Sequence, residues 1–496
     1  MGLLFLFLLI PLLYLLSQII EGRSNFTPPG PLGLPFIGNL HQIIYHSNIP
    51  TFLWQLSKSY GPILSLNFGF IPVIVVSSAS LAKEVLKTQD IIFCNRPSFV
   101  VLKKLSYNGL DVTFSPYNKY WREMKKIFKL HLLGPKRVES FRFIREEEVS
   151  SAMKKIHEMA LSSMPVNLSE LVKSVAGTIM MRVGYGKKFR DEHERKELLR
   201  LLTELELIFA DFYVSDIWRG LPFMGLIDRL FGKTNRLDKC FQYFDVFYQK
   251  LIDEHLSPKS SEKEEDFIDI LLRLKEEQLL NLTYDHIKAL LMDVLVAGTD
   301  TSTATVIWAM TALIKNPKVM KKAQEEVRNL VGKKCIVEEE DLSKLTYMKA
   351  VVKEIMRLYP PAPLLIPRET AKHTILHGYK IKQKTLVFVN AMAIGRDPES
   401  WERPEEFLPK RFMGSNIDFR GNDFELIPFG GGRRICPGIS MGVMIVELLL
   451  ANLVYLFDWG LPNDENSVDI DFDVMPGVTI HKKNDLCLLA HVFVKD

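Results

Sequence analysis

The chain has no paired cysteines. Its five, Cys94, Cys240, Cys335, Cys436 and Cys487, are odd in number and widely separated, with no metal-ligand spacing between any two. That argues against a disulfide scaffold and against a zinc site, and it places the globular part in a reducing compartment. Charge of one sign is also scarce. The 63 Lys and Arg stand against 59 Asp and Glu, leaving +4 over 496 residues, which argues against general nucleic-acid binding. No internal repeat or low-complexity tract occurs, and 47% hydrophobic with 25% charged residues is the composition of a globular protein. The glycine run Gly430-Gly431-Gly432 lacks a Gly-Lys-Ser/Thr ending, so it is not a phosphate-binding loop.

What is present begins with an apolar run from Leu3 to Ile20, broken only by Pro11, Tyr14, Ser17 and Gln18 and just long enough to span a bilayer. It lacks the basic leading region and small-x-small site of a cleaved signal peptide, so residues 1–22 are expected to be an uncleaved transmembrane anchor. Residues 23–39 follow as linker and hinge. Their Pro28-Pro29-Gly30-Pro31-x-Gly33-Leu34-Pro35 is a stiff, non-helical spacer, because proline fixes φ and removes a backbone donor. Residues 40–496 are expected to form one large catalytic domain. Ile63-Leu64-Ser65-Leu66 and Val73-Ile74-Val75-Val76 read as strands separated by Gly69 and Pro72, and from Leu81 onward helical periodicity dominates. The polar stretch from Ser257 to Asp266 reads as a surface loop.

Two segments carry the chemistry. In Phe429-Gly430-Gly431-Gly432-Arg433-Arg434-Ile435-Cys436-Pro437-Gly438, glycines allow backbone angles and close approaches that let amides point at the sulfur, and Pro437 stiffens the exit. A thiolate so held suits an iron, and an axial thiolate on haem favours O–O cleavage. A lone buried cysteine in a turn is the plainer reading. The second segment is a helix from about Tyr284 to Lys315, capped by Thr283, stopped by Asn316-Pro317 and about 45 Å long. It contains Ala297-Gly298-Thr299-Asp300-Thr301-Ser302, where Gly298 costs about 1 kcal/mol of helix propensity and so calls for compensation. A small-residue helix contact would look the same.

The pattern Phe429-x-x-Gly432-x-Arg434-x-Cys436-x-Gly438 resembles the haem-binding signature of the cytochrome P450 superfamily. Ala297-Gly298-Thr299-Asp300-Thr301 is similar to that family's oxygen-activation motif, and Glu354-Ile355-Met356-Arg357 with Arg411 is similar to its Glu-x-x-Arg network. Lys410 stands where the family pattern has glutamate. The resemblance spans the chain from the hinge to Met475-Pro476-Gly477-Val478-Thr479 and is narrowest to plant microsomal A-type members, which make specialised metabolites.

The resemblance implies a mainly α fold with a small β region, in a single domain that binds haem b through Cys436. Arg434, Arg368, Trp121 and Lys125 would face the haem propionates, and Phe429 would belong to the ligand loop. Ala297 and Gly298 would leave room for dioxygen, while Thr301 and Asp300 would supply protons and hold water. Val294, Ala297 and Thr301 fall on one helix face, which is expected to meet substrate. The activity implied is monooxygenation, with electrons from NADPH through a membrane-bound cytochrome P450 reductase. A haem-thiolate protein that rearranges peroxides or acts as a sensor is the alternative. Arg122, Lys126 and Lys129 form a basic stripe suited to an acidic donor, although any solvated helix face has the same pattern.

The anchor would hold the protein in endoplasmic-reticulum lipid with the catalytic domain in the cytosol, leaving the sequons at Asn25, Asn167 and Asn281 unused. The plant subgroup accepts terpenoids, alkaloids, phenylpropanoids and aldoximes. Phe99-Val100-Val101-Leu102, Ile208-Phe209, Leu364-Leu365-Ile366 and Val478 are expected to roof an apolar pocket for a small, neutral, lipophilic substrate.

Overall fold

A computed structural model of the chain describes residues 26–189, 191–257, 265–278, 281–462 and 470–494. The expected anchor, Asn25 and residues 258–264 of the expected surface loop lie outside the described residues. The structure is mainly helical with a small β region. The principal sheet joins β1 (Ile63–Phe68), β2 (Ile71–Val76), β3 (Arg368–Glu369) and β4 (Leu386–Val389) in the order β1-β2-β4-β3. β1 and β2 pair antiparallel around a turn at Gly69 (φ 57°) and Phe70, and β2 then runs parallel to β4. Pro72 does not separate the strands, as the sequence suggested, but lies within β2. It precedes the first residue pair with β4, Val73 with Leu386, so its missing amide leaves no gap in that ladder.

Six helices position the site: α1 (Lys119–Ile127), α2 (Leu168–Tyr185), α3 (Glu192–Ala210), α4 (Tyr284–Lys315), α5 (Thr346–Leu358) and α6 (Ile439–Leu456). α4 has the expected boundaries. Thr283 Oγ1 accepts from the His286 amide while His286 Nδ1 accepts from the Thr283 amide, and Asn316 Nδ2 donates to Ala312 O just before Pro317 ends the helix. α4 is nearly all buried because it runs through the core, with α2, α5 and α6 packed along it. Among the described residues, α4 and α6 are long and apolar enough to cross a membrane, but both are mostly buried inside the fold.

α5 carries a buried charge network. Arg357 donates Nε to Glu354 Oε2 and Nη2 to Oε1, both at 2.8 Å, and Arg411 Nε donates to Oε1 at 3.1 Å. The Leu408 amide adds a fourth bond to the same carboxylate at 2.7 Å. The remaining guanidinium protons of Arg357 go to the carbonyls of Pro404, Glu406 and Gly395. Charges with no solvent exposure are tolerable only when satisfied this completely. Lys410, on the same short turn as Arg411, points into solvent. All five cysteines are free thiols.

Candidate active site

The cysteine loop is closed by its own backbone, since the Cys436 amide donates to Phe429 O at 3.0 Å. Phe429 is half buried and meets Phe419 edge to face. Gly432 has φ +66°, and a Cβ there would collide with Leu86 O, so no other residue fits this turn. Gly438 precedes α6, whose amino-terminal end faces back toward the sulfur. Burial pushes the Cys436 thiol up, while the Gly438 amide and Lys125 pull the other way. The sulfur belongs to a half-buried residue, is approached by an amide donor and a cation, and lies next to a helix start.

Behind the loop lies a wall of buried cations. Arg434 donates to Cys94 O (2.9 Å), Val112 O (3.2 Å) and Ser115 O (2.6 Å). Arg368 reaches Asp90 Oδ1 and Gly431 O, and Lys125 Nζ donates to Arg433 O. Trp121 contributes no donor of its own to this wall. Its indole N–H is committed to Val112 O at 2.9 Å, and its ring carries the Arg434 guanidinium 4.1 Å above it. Arg96, which the sequence reading missed, joins them from Asn95-Arg96-Pro97, with its donors on the carbonyls of Thr113, Ile366 and Pro367.

Burial, then the other cations, lowers Arg96 well below the usual guanidinium range. Burial brings Arg434 down to about 10, and burial with Arg434 brings Lys125 to about 8. Mutually repelling buried cations, many of whose donors rest on backbone carbonyls, form a site with spare capacity for carboxylates. This donor set fits a haem, which carries two propionates.

On α4 the open face runs Asp293, Ala297 and Thr301 at four-residue steps; Ala297 is exposed and the other two are partly so, as are Val296 and Gly298 beside them, in a helix whose remaining middle is buried. Thr301 Oγ1 donates to Ala297 O at 2.7 Å. One expectation needs correcting. Val294 is buried beside Gly184 of α2, so the face includes Asp293 instead, whose Oδ2 accepts from the amides of Val112 and Thr113. Gly298, half exposed beside Ala297, has a packing role. A Cβ there would lie 2.2 Å from Met180 Sδ, so the glycine serves the close contact of α4 with α2.

Asp300 likewise points away from that face, into a buried cluster. Its carboxylate lies 3.4 Å from His481 Nε2 and 3.9 Å from Lys173 Nζ. Burial would raise its pKa, but His481, Glu206 and Lys173 hold it down at about 2. Burial, followed by the Asp300 charge, pushes Glu206 well above the carboxylate range. No directed hydrogen bond closes the cluster: both Asp300 oxygens, Glu206 Oε2 and His481 Nε2 are buried without one among the described residues. Glu206 was missed from sequence although it is the charged residue inside the apolar run Leu205 to Ala210.

An apolar cavity adjoins. Phe99, Val101, Leu102, Phe209, Leu364, Leu365 and Val478 line it as expected, joined by Phe114, Phe212 and Phe388. Val100, Ile208 and Ile366 are not in its wall, and Ile208 is wholly buried. The helical and strand residues Ile43, Leu53 and Phe68 also line it, whereas neither Cys436 nor any residue of α4 is in its wall. The two acids in its wall are engaged. Asp216 accepts from the Val100 amide, and Asp211 pairs with Lys233 and Arg236.

A family model described as Cytochrome P450 matches residues 28–488. A 5-OH-xanthotoxin synthase of Pastinaca sativa is 47% identical over 492 residues, covering 97% of this chain and 96% of the relative. A 6,7,8-trihydroxycoumarin synthase of the same plant is 47% identical over 484 residues, covering 96% and 94%. Cytochrome P450 71A9 of Glycine max is 46% identical, covering 98% of each. Among solved structures, a zebra fish cytochrome P450 with abiraterone superposes with a TM-score of 0.75 at 23% identity, over 91% of this chain and 100% of that one; it shares the fold.

Proposed function

This chain belongs to the cytochrome P450 family and is a monooxygenase, and on that premise we propose that it oxidises a neutral, lipophilic specialised metabolite. Cys436 would hold the haem iron, and NADPH would supply electrons through cytochrome P450 reductase. When bound through a thiolate, haem supplies the cleavage of dioxygen's O–O bond. The chain's own residues do the rest. Arg96, Arg368, Arg434 and Lys125 would hold the propionates, with Trp121 placing Arg434. Asp293 ties α4 to the loop that bonds Arg434, which fixes the oxygen-facing helix relative to the cationic wall. Thr301 would hold water at the open face, with Asp300 charged in the buried cluster on the other side of α4.

The observation that carries the substrate class is the cavity itself. Its wall is rich in phenylalanine, Asp211 is paired with Lys233 and Arg236, and Asp216 is occupied by the Val100 amide, which favours an uncharged ligand. Terpenoids, alkaloids, phenylpropanoids and aldoximes all meet that description. Flat phenylpropanoid-derived aromatics such as coumarins rank first, because one relative at 47% identity is named for a trihydroxycoumarin product.

The electron donor would dock where Arg122, Lys126 and Lys129 stand exposed on α1 and the π-helical turn that follows it. Residues 1–22 would anchor the protein in the endoplasmic-reticulum membrane, ahead of a hinge at 23–39 and the catalytic domain at 40–496. A cytosolic domain agrees with Asn167, whose Oδ1 caps α2 while Nδ2, the atom a glycan would occupy, donates to Asp485.

The deciding experiment is a metabolite screen in microsomes co-expressing the reductase, with coumarins, terpenoids and alkaloids supplied in turn. A product heavier by one oxygen, with NADPH consumed in step, is the expected result. NADPH consumption that responds to no neutral compound would refute the reading.

A further inference from the structure

The carboxy-terminal loop, residues 474–482, forms one side of the apolar cavity through Met475, Pro476, Gly477, Val478 and Ile480. No residue of α4 reaches that wall, yet α4 grips the loop at two points. Trp308 Nε1 donates to Ile480 O at 2.9 Å, and the indole is itself fixed by stacking on Tyr359 and Phe472. Asp300, eight residues earlier and so about 12 Å along the helix, places Oδ2 3.4 Å from His481 Nε2. A buried carboxylate requires basic partners, and this one has Lys173 on its other oxygen at 3.9 Å. Lys173 donates to Thr203 Oγ1 at 2.6 Å, so Asp300 is held from α2 and α3 while it faces the loop. On the loop side, the His481 carbonyl accepts from the Met475 amide at 2.9 Å, and the Ile480 amide donates to Pro361 O at 2.9 Å. His481 therefore joins the two ends of the cavity-lining stretch, and its side chain ties both to α4.

We propose that His481 is a positioning residue for substrate selection: paired with Asp300, it fixes the cavity-lining loop against α4 and so sets which neutral compounds the cavity accepts. His481 lies outside the cavity wall and acts through the residues that form it. Trp308 by itself pins the loop at Ile480 and leaves Met475 to move with the His481 carbonyl. The contact is made on the side of α4 away from the Thr301 face, so it shapes the cavity without entering the chemistry at that face. The role in selection rests on the proposed reading of the cavity as the substrate site, whereas the anchoring of the loop does not.

Hydrogen exchange in the resting holoenzyme, read by mass spectrometry on peptides covering residues 474–482, tests the anchor without turnover. His481→Leu, similar in size but unable to pair, should speed exchange of the Met475 amide several-fold. His481→Gln, whose amide nitrogen can face Asp300, should restore part of the protection, and in an Asp300→Asn background His481→Leu should add little. Selection is tested with two neutral azoles read by the haem absorbance shift: clotrimazole, which needs the cavity, and imidazole, which does not. The affinity ratio of the first to the second should fall several-fold in His481→Leu and recover in His481→Gln, with the carbon-monoxide band and the Soret-to-protein ratio at wild-type values. Should His481→Leu fail to fold, His481→Asn, whose shorter amide falls short of Asp300, takes its place. Wild-type exchange in the unpaired variant would overturn the proposal, and faster exchange with an unchanged affinity ratio would overturn the role in selection. A wild-type protein that binds imidazole but not clotrimazole would refute the cavity reading and selection with it, while accelerated exchange in the variant would still establish the anchor.

Discussion

Gly298 of α4 abuts Met180 of α2 so closely that a methyl group at residue 298 would lie 2.2 Å from the methionine sulfur. The helix weakness at Gly298 is thus compensated by contact between the two helices. Gly298→Ala gains about 1 kcal/mol of helix propensity but has to displace Met180, at a cost of about 1–3 kcal/mol. We expect a net loss of about 1 kcal/mol in urea unfolding. In a Met180→Ala background the same substitution should stabilise. A loss of equal size in both backgrounds would mean that the constraint lies elsewhere.

Glu354 accepts from two guanidiniums and an amide with no solvent to replace them. Glu354→Ala would leave Arg357 and Arg411 without their carboxylate, an effect of about 3–5 kcal/mol for a buried pair. The expected result is protein that unfolds early and is recovered with little haem, read as the ratio of Soret to protein absorbance. Lys410→Glu, a change at the exposed neighbour, should leave that ratio unaltered.

Cys436→Ser tests the ligand. A serine oxygen donates far less charge to iron than a thiolate does, so the reduced, carbon-monoxide-treated variant should lose the long-wavelength Soret band. A full-height band would remove Cys436 from the site.

How much of this was legible from sequence differs from residue to residue. α4 was readable to both ends because Thr283, Asn316 and Pro317 are local signals, and β1 and β2 because branched residues cluster. Family motifs led to Cys436, Thr301 and Glu354. What stayed hidden depends on the direction a side chain takes once helices pack. Asp300 and Thr301 are neighbours in sequence yet face opposite ways, and a three-residue step was too coarse to tell Val294 from Asp293. Arg96 and Glu206 lack periodic or capping context, and only tertiary packing makes them members of a site.

Deleting residues 1–24 tests the domain boundaries. The described fold begins at residue 26, and Pro29 O already accepts from the Ser65 amide, so the hinge is part of the globule. The truncated protein should keep its carbon-monoxide band while much of it moves from the membrane pellet to the supernatant. Loss of the band on truncation, or a glycan on Asn281 of the full chain, would contradict the proposed arrangement.

Thr301→Ala addresses mechanism most directly. Thr301 bonds its hydroxyl back to Ala297 O on the open face of α4, so the oxygen keeps lone pairs for water. Alanine is the better helix former, and Thr301 is only partly buried, so folding and substrate binding should survive. What should fail is delivery. Dioxygen activation consumes protons, and without the hydroxyl the water that carries them loses its place. NADPH oxidation should continue while product per NADPH falls at least about 3-fold, a change of about 0.7 kcal/mol in partitioning, with hydrogen peroxide making up the difference. If the product-to-NADPH ratio holds at the wild-type value, protons reach the reacting oxygen by a route that bypasses Thr301.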